Sequence, residues 1–164
     1  MEMQFAYGSN MDVERLKKGD KGGIERILVN AKKAWLDDWE FGFTKKGKDG
    51  GKANIIPKTG GIVWGLLIEL DPKAVKEMDK SEGIHETKRN RGVPHYTKET
   101  VRVVTDDGVE HECKTYVANF HPYRFDEEGV PPSKEYLEHV VKGAKDFHLP
   151  PEYIERIRNT PTND

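Results

Sequence analysis

The apolar positions of this chain follow two periods, and each change of period marks an element. Residues 3–7 (Met-Gln-Phe-Ala-Tyr) read as a buried opening strand, interrupted by Gly8, Ser9 and Asn10. From Met11 the spacing turns helical, with Met11, Val13 and Leu16 apolar. A helix is predicted over 11–18, with Asn10 as its N-cap. Residues 24–44 are rich in β-branched and aromatic side chains (Ile24, Ile27, Val29, Trp35, Trp39, Phe41, Phe43) and predict one or two strands. Glycine and lysine dominate 45–52, which reads as a loop, and 53–57 is a short strand stopped by Pro57. Residues 62–70 are apolar almost throughout, the mark of a central strand.

Asp71 then caps a helix that opens with Pro72, runs to about Ser81 and ends at Gly83. Residues 84–94 are charged and irregular. Two strands over 96–104 and 109–120 meet at Asp106-Asp107-Gly108, a hairpin turn. Pro131-Pro132-Ser133 opens a helix to about Phe147, with Tyr136, Leu137, Val140, Val141 and Ala144 on one stripe. Pro150-Pro151 starts a last helix through Arg158. No repeat or linker divides the pattern, so a single domain over 1–164 is expected. Its class is α+β: a small mixed, mostly antiparallel β-barrel with flanking helices.

Composition narrows the function. Hydrophobic residues make up 35% and charged residues 34%, polar for a globular chain but too aromatic for a disordered one. Twenty-seven basic and 29 acidic residues give a net charge of -2, which calls for neither nucleic acid nor an anionic membrane. The one cysteine, Cys113, allows no intramolecular disulfide and fits a reducing cytoplasm. It reads as a packing or surface residue. There is no long apolar stretch, and Met-Glu-Met-Gln does not open a signal peptide, so a soluble protein that is not exported is expected. The six histidines show no zinc-ligand spacing, and no metal is expected.

Two short segments carry chemistry. Tyr7-Gly8-Ser9-Asn10 follows a strand, and its glycine lets backbone come close to a ligand. Successive amides at such a strand end can hold a carboxylate or a developing oxyanion. The alternative is an ordinary strand-to-helix turn with an Asn cap. Ser9 has no GxSxG elbow to make it a nucleophile.

The second segment is the end of the 72–82 helix. Ala74, Val75 and Met78 define its apolar face, and Glu82 falls on that face while Glu77 and Asp79 share it poorly. A core-facing glutamate needs a partner or a task, and desolvation would raise its pKa toward that of an acid/base catalyst. Alternatively, Glu82 frays into water beside Gly83. Tyr116 and Tyr136 are buried-type tyrosines that either point a hydroxyl into a pocket or sit at the rim of the core. The basic runs 45–52 and 88–91 lack the interleaved aromatics of nucleic-acid readers and read as solvated loops. The histidines, His95 and His139 among them, read as structural or exposed.

Taken in order, these segments resemble the γ-glutamylcyclotransferases and the related AIG2-like proteins. The matching residues are Phe5-Ala6-Tyr7-Gly8-Ser9-Asn10-Met11, Ala53-Asn54-Ile55-Ile56, Val63-Trp64-Gly65 and Met78-Asp79-x-x-Glu82-Gly83. They continue with Cys113-Lys114-Thr115-Tyr116, Pro132-Ser133-x-x-Tyr136, Gly143-Ala144-Lys145 and Leu149-Pro150-x-x-Tyr153. Each is modest alone, and the ordered set spans nearly the whole chain. Met11 stands where many relatives have leucine, and the 84–95 segment is longer and more charged than the family pattern.

The resemblance implies a cavity at the mouth of a small barrel, with no metal or cofactor. It implies backbone amides from Tyr7, Gly8, Ser9 and Asn10 on a γ-glutamyl group, Glu82 as acid/base, and Tyr116 and Tyr136 lining the pocket. The reaction implied closes a γ-glutamyl amino acid or amine to 5-oxoproline and frees the amine. Isopeptides such as γ-glutamyl-lysine, or a binding protein of the same fold without turnover, are the other readings. A homodimer is implied by the family analogy alone.

Overall fold

Among the described residues the alternating segments become five strands that close on one another: β1 (Glu2–Ala6), β2 (Lys32–Gly47), β3 (Gly50–Leu70), β4 (Tyr96–Thr105) and β5 (Glu110–Ala118). The computed structural model describes residues 1–12, 30–85 and 92–164. The strands hydrogen-bond in the order β1-β3-β2-β4-β5, and a parallel pairing of Gln4 with Lys114 joins β5 back to β1. The other described pairs are antiparallel. Helices α1 (Pro72–Ser81), α2 (Lys134–Asp146) and α3 (Pro151–Arg158) flank this barrel. The mixed, mostly antiparallel barrel expected from the pattern is the fold observed. Among the described residues, no helix is long and apolar enough to cross a membrane.

The strand boundaries differ from expectation at two places. Pro57 does not end a strand; β3 runs unbroken for 21 residues. β1 pairs only with Leu66–Leu70, so Pro57, opposite Trp39 of β2, has a neighbour on one side and its missing N–H is tolerated. Residues 45–52 are not a loop either. β2 and β3 continue through them to a tight turn, with Lys45 paired to Lys52 and Gly47 to Gly50. Gly50 takes φ +129, a left-handed conformation suited to glycine.

The helix ends follow their local chemistry. The Asp71 carboxylate accepts from the Ala74 amide at 2.8 Å and Pro72 opens α1. Ser133 Oγ accepts from the Tyr136 amide at 3.1 Å and caps α2. The α2 stripe of Tyr136, Leu137, Val140 and Ala144 is buried. Gly143 brings α2 hard against the turn after β1, since a Cβ there would lie 2.6 Å from the Met11 carbonyl carbon. A second tie runs from His139 Nδ1 to the buried Asp12 carboxylate, 2.6 Å away.

Residues 13–18 of the helix expected over 11–18, the 24–29 part of the expected strands and the basic run 88–91 lie outside the described residues. Within them, Ser9–Met11 forms one 3-10 turn with Gly8 at its N-cap, and Asn10 does not cap it. The Asn10 side chain is engaged elsewhere.

Candidate active site

The site begins with a slip in the β2–β3 ladder. Gly42 faces Asn54, yet Lys45 faces Lys52, so Phe43 and Thr44 share the single opposing residue Ala53. Such a bulge breaks the inward–outward alternation. Phe43, Thr44 and Lys45 are consequently buried in succession. Side chains take up both polar groups of Ala53: its amide donates to Tyr136 Oη at 3.0 Å, and its carbonyl accepts from Tyr96 Oη at 3.2 Å. The bulge thereby draws two tyrosines, one from α2 and one from β4, to the same point.

The turn after β1 lies across from this point. A Cβ on Gly8 would stand 2.9 Å from Ala53 Cβ, so the backbone passes closer than any other residue permits. The Met11 and Asp12 amides close back on the Gly8 and Ser9 carbonyls, at 3.1 and 3.0 Å.

Glu82 arrives from α1. It occupies the C-cap position in a still-helical conformation (φ -85, ψ -1), its amide bonded to the Met78 carbonyl at 2.9 Å. Gly83 then turns the chain at φ +62, with the Ile84 amide reaching back to the Asp79 carbonyl. The glutamate does not fray into water. It is half-buried, and Asn10 Nδ2 donates to its Oε1 at 2.9 Å. The side chain read as a helix cap thus orients the carboxylate.

All seven residues singled out from the sequence line one cavity of ≈ 210 Å³: Tyr7, Gly8, Ser9, Asn10, Glu82, Tyr116 and Tyr136. Lys45, Lys52 and Tyr96 line it too, and none of the three was foreseen there. Lys45 was read as part of a solvated loop; the bulge turns it inward. Its Nζ lies 2.7 Å from His95 Nδ1. Burial, helped by the Arg124 and Lys52 charges and opposed by Glu82, lowers its pKa to about 8. Lys52 Nζ sits 4.2 Å from the centre of the Tyr136 ring.

The tyrosine hydroxyls are mostly committed. Tyr7 Oη donates to the Tyr116 carbonyl, and burial first, then the Glu82 charge, pushes its phenol pKa well up. Tyr116 Oη donates to Asp79 at 2.6 Å and accepts from Gln4 at 3.1 Å. Burial and that bond to Asp79 raise its pKa as well. Lys98 bridges Asp79 and Glu2 at 3.0 and 2.7 Å. Tyr116 is therefore an anchored wall of the cavity, and Asp79 its anchor. Asp79, which shares the apolar face of α1 poorly, still reaches the barrel through Tyr116 of β5 and Lys98 of β4.

Tyr136→Phe removes the acceptor of the buried Ala53 amide at the cavity edge. The expected outcome is a loss of about 1–2 kcal/mol of stability in a denaturant melt, and a several-fold drop in any turnover. An unchanged rate would return Tyr136 to a packing role.

Cys113 is buried, and its thiol pKa is pushed up to about 12 by that burial, which makes it a poor nucleophile. Among the described residues, no cluster of histidine, cysteine, aspartate or glutamate is arranged to hold a metal ion.

The chain is similar to known proteins along nearly all its length. The AIG2-like family profile matches residues 62–157. A protein of Bos taurus called γ-glutamylcyclotransferase is 30% identical over 164 residues, covering 99% of this chain and 80% of the relative. The Mus musculus protein of that name is 28% identical over 163 residues, with the same coverage. A solved structure described as γ-glutamyl cyclotransferase superposes with a TM-score of 0.78 at 26% identity, covering 99% of this chain and 89% of that one.

Proposed function

We propose an enzymatic function on the premise that the chain belongs to the AIG2-like, γ-glutamylcyclotransferase family: it closes a γ-glutamyl amino acid or amine to 5-oxoproline and releases the amine. The observation that carries this reading is the Glu82 carboxylate, set at the cavity wall and held at 2.9 Å by Asn10 of the glycine turn. The names of the relatives support the general activity.

In this reading the turn amides of Gly8, Ser9 and Asn10 take the anionic end of the γ-glutamyl group, or the oxyanion formed on its γ-carbonyl. The attacking α-amine and the γ-carbonyl belong to one molecule. Holding them in register supplies much of the rate, because no second reactant has to be captured. The α-amine is protonated at neutral pH and cannot attack in that form. Glu82 accepts its proton as nitrogen bonds to the γ-carbon. The bond from that carbon to the leaving nitrogen then breaks as Glu82 returns that proton to it, and the second proton shed by the ring nitrogen follows through the same carboxylate, so the lactam keeps one N–H and the amine departs as an ammonium. Every step is a proton transfer or an amide exchange, which these side chains supply without a cofactor. Tyr7, Tyr116 and Tyr136 wall the cavity and exclude water, which suppresses hydrolysis in favour of ring closure.

The same reading takes the protein as cytoplasmic and acting on a small molecule, with the buried, unreactive Cys113 in keeping with a reducing compartment. The test is release of 5-oxoproline from γ-glutamyl-alanine, with one alanine freed per ring closed. Failure to release it from γ-glutamyl-alanine, γ-glutamyl-glutamate and γ-glutamyl-ε-lysine alike would overturn the reading in favour of a binding protein.

A further inference from the structure

We propose that Lys45 and Lys52 are specificity residues that select an acidic leaving amine, so that the substrates released fastest are γ-glutamyl derivatives of dicarboxylic amino acids. The inference rests on the cyclotransferase reading and deepens it.

It starts from the ladder. Lys45 and Lys52 are direct cross-strand partners on β2 and β3. Like charges placed opposite one another are destabilising. On an exposed sheet face the two ammoniums would splay into water. Here the bulge buries Lys45, which is only 4% exposed, and both side chains line the same cavity. The Lys52 charge is among the causes that weaken the hold of Lys45 on its proton. The other charged side chain on the described lining is Glu82. A pair of cations facing each other on a cavity wall is relieved when anionic groups enter between or beside them.

The next step concerns which end of the substrate they meet. Glu82 serves both the attacking and the departing nitrogen, so the leaving amine lies beside it. The His95 amide donates to the Gly83 carbonyl at 3.0 Å, and the His95 ring meets Lys45 at 2.7 Å. The backbone next to Glu82 is thereby tied to Lys45. The γ-glutamyl end is served by the turn amides. Any amino-acid leaving group brings one carboxylate to this side, and two lysines suit two carboxylates.

His95 sharpens the arrangement. With Lys45 charged, its ammonium donates to Nδ1, which places the imidazole proton on Nε2 and leaves the ring neutral. The pair therefore presents a single positive charge, fixed in position rather than carried on a free side chain. Tyr96 adds an aromatic face 5.5 Å from the same ammonium. A preorganised cation of this kind discriminates carboxylate from carboxamide, which are equal in shape and differ in charge.

The experiment compares γ-glutamyl-glutamate with γ-glutamyl-glutamine, an isosteric pair, by 5-oxoproline release from the wild type, Lys45→Met and Lys52→Met. The wild type is expected to favour the glutamate compound by about tenfold or more in kcat/KM, the effect of one charge-assisted hydrogen bond. Each methionine variant is expected to bring that ratio close to one. A wild-type ratio near one, with both compounds turned over, overturns the inference and leaves the cyclotransferase reading standing. So does a ratio kept in both variants while the two rates fall together, which would put the lysines on the γ-glutamyl carboxylate. No release from either compound by the wild type overturns the inference; release from γ-glutamyl-alanine in the same assay leaves the cyclotransferase reading standing, and failure there and with γ-glutamyl-ε-lysine overturns that reading as well. Should Lys45→Met fail to fold, the Lys52→Met ratio decides the matter alone.

Discussion

Glu82→Gln is expected to fold as the wild type does and to lose turnover by about a thousandfold, within the range that one general acid/base supplies. The substitution is close to isosteric. The amide oxygen of glutamine can still accept from Asn10 Nδ2, which now holds the carboxylate at 2.9 Å. The backbone of residue 82 keeps its bond to the Met78 carbonyl, and Gly83 still turns the chain. Only the capacity to take a proton from the α-amine is gone. A thermal melt should therefore change little while 5-oxoproline release nearly stops. The pattern to look for is a collapse of kcat rather than a rise of KM, because the carboxylate acts on protons in flight and not on the resting contacts of the substrate. Wild-type turnover in this variant would remove Glu82 from the reaction and leave the cavity without an acid/base from α1.

Glu82 was legible because a helix repeats every 3.6 residues and the apolar stripe of α1 points to it. The same rule found Tyr136 on α2, and the Asp71, Pro72 and Gly83 signals set the limits of α1 where they occur. The barrel itself followed from the run of strands and the hairpin at Asp106-Asp107-Gly108. Lys45 escaped because of a register slip. A strand is read by alternation, and alternation holds only while the register does. Lys45 is charged and opens the glycine- and lysine-rich run 45–52, so it looked solvated. One extra residue opposite Ala53 reverses its direction. That bulge is set by pairing with a distant strand and leaves no local signature. The merging of two expected strands into β3 has a similar origin, since Pro57 is tolerated only because β1 does not reach it.

The side-chain partners of Asn10 and Asp79 escaped for another reason. Each belongs to a local pattern that the chain can satisfy by itself, a cap in one case and a helix position off the apolar stripe in the other. The closed barrel brings each against a partner far along the chain: Asn10 against Glu82, Asp79 against Tyr116 and Lys98. The resemblance to γ-glutamylcyclotransferases names positions that recur in a family. The lysine pair is not among them, and only the folded chain brings it into view.

Gly143→Ala is expected to destabilise the protein, against the direction that helix propensity alone dictates. In the interior of α2 an alanine favours the helix over glycine by about 1 kcal/mol. The added methyl would, however, meet the Met11 carbonyl carbon and Cβ at 2.6 Å and the Met11 oxygen at 2.8 Å. Two of these three atoms are backbone and cannot swing aside. Overpacking of this kind costs about 1–3 kcal/mol, so it outweighs the propensity gain or at least cancels it. The net expectation is a loss of up to about 2 kcal/mol, read as a fall of up to several degrees in melting temperature. The effect on turnover should be larger than that on stability. The Met11 amide closes on the Gly8 carbonyl at 3.1 Å, so pushing Met11 away from α2 drags the turn that carries the amides and Asn10. A displacement of even a fraction of an ångström there separates Asn10 from Glu82, and misplacement on the scale of 1 Å costs roughly a hundredfold in rate. Melting temperature and kcat/KM measured side by side separate the two effects. A variant that melts higher than the wild type and turns over normally would show that α2 can back away from the turn without disturbing it. In that case the close approach at Gly143 would be a packing convenience and not a constraint on the site.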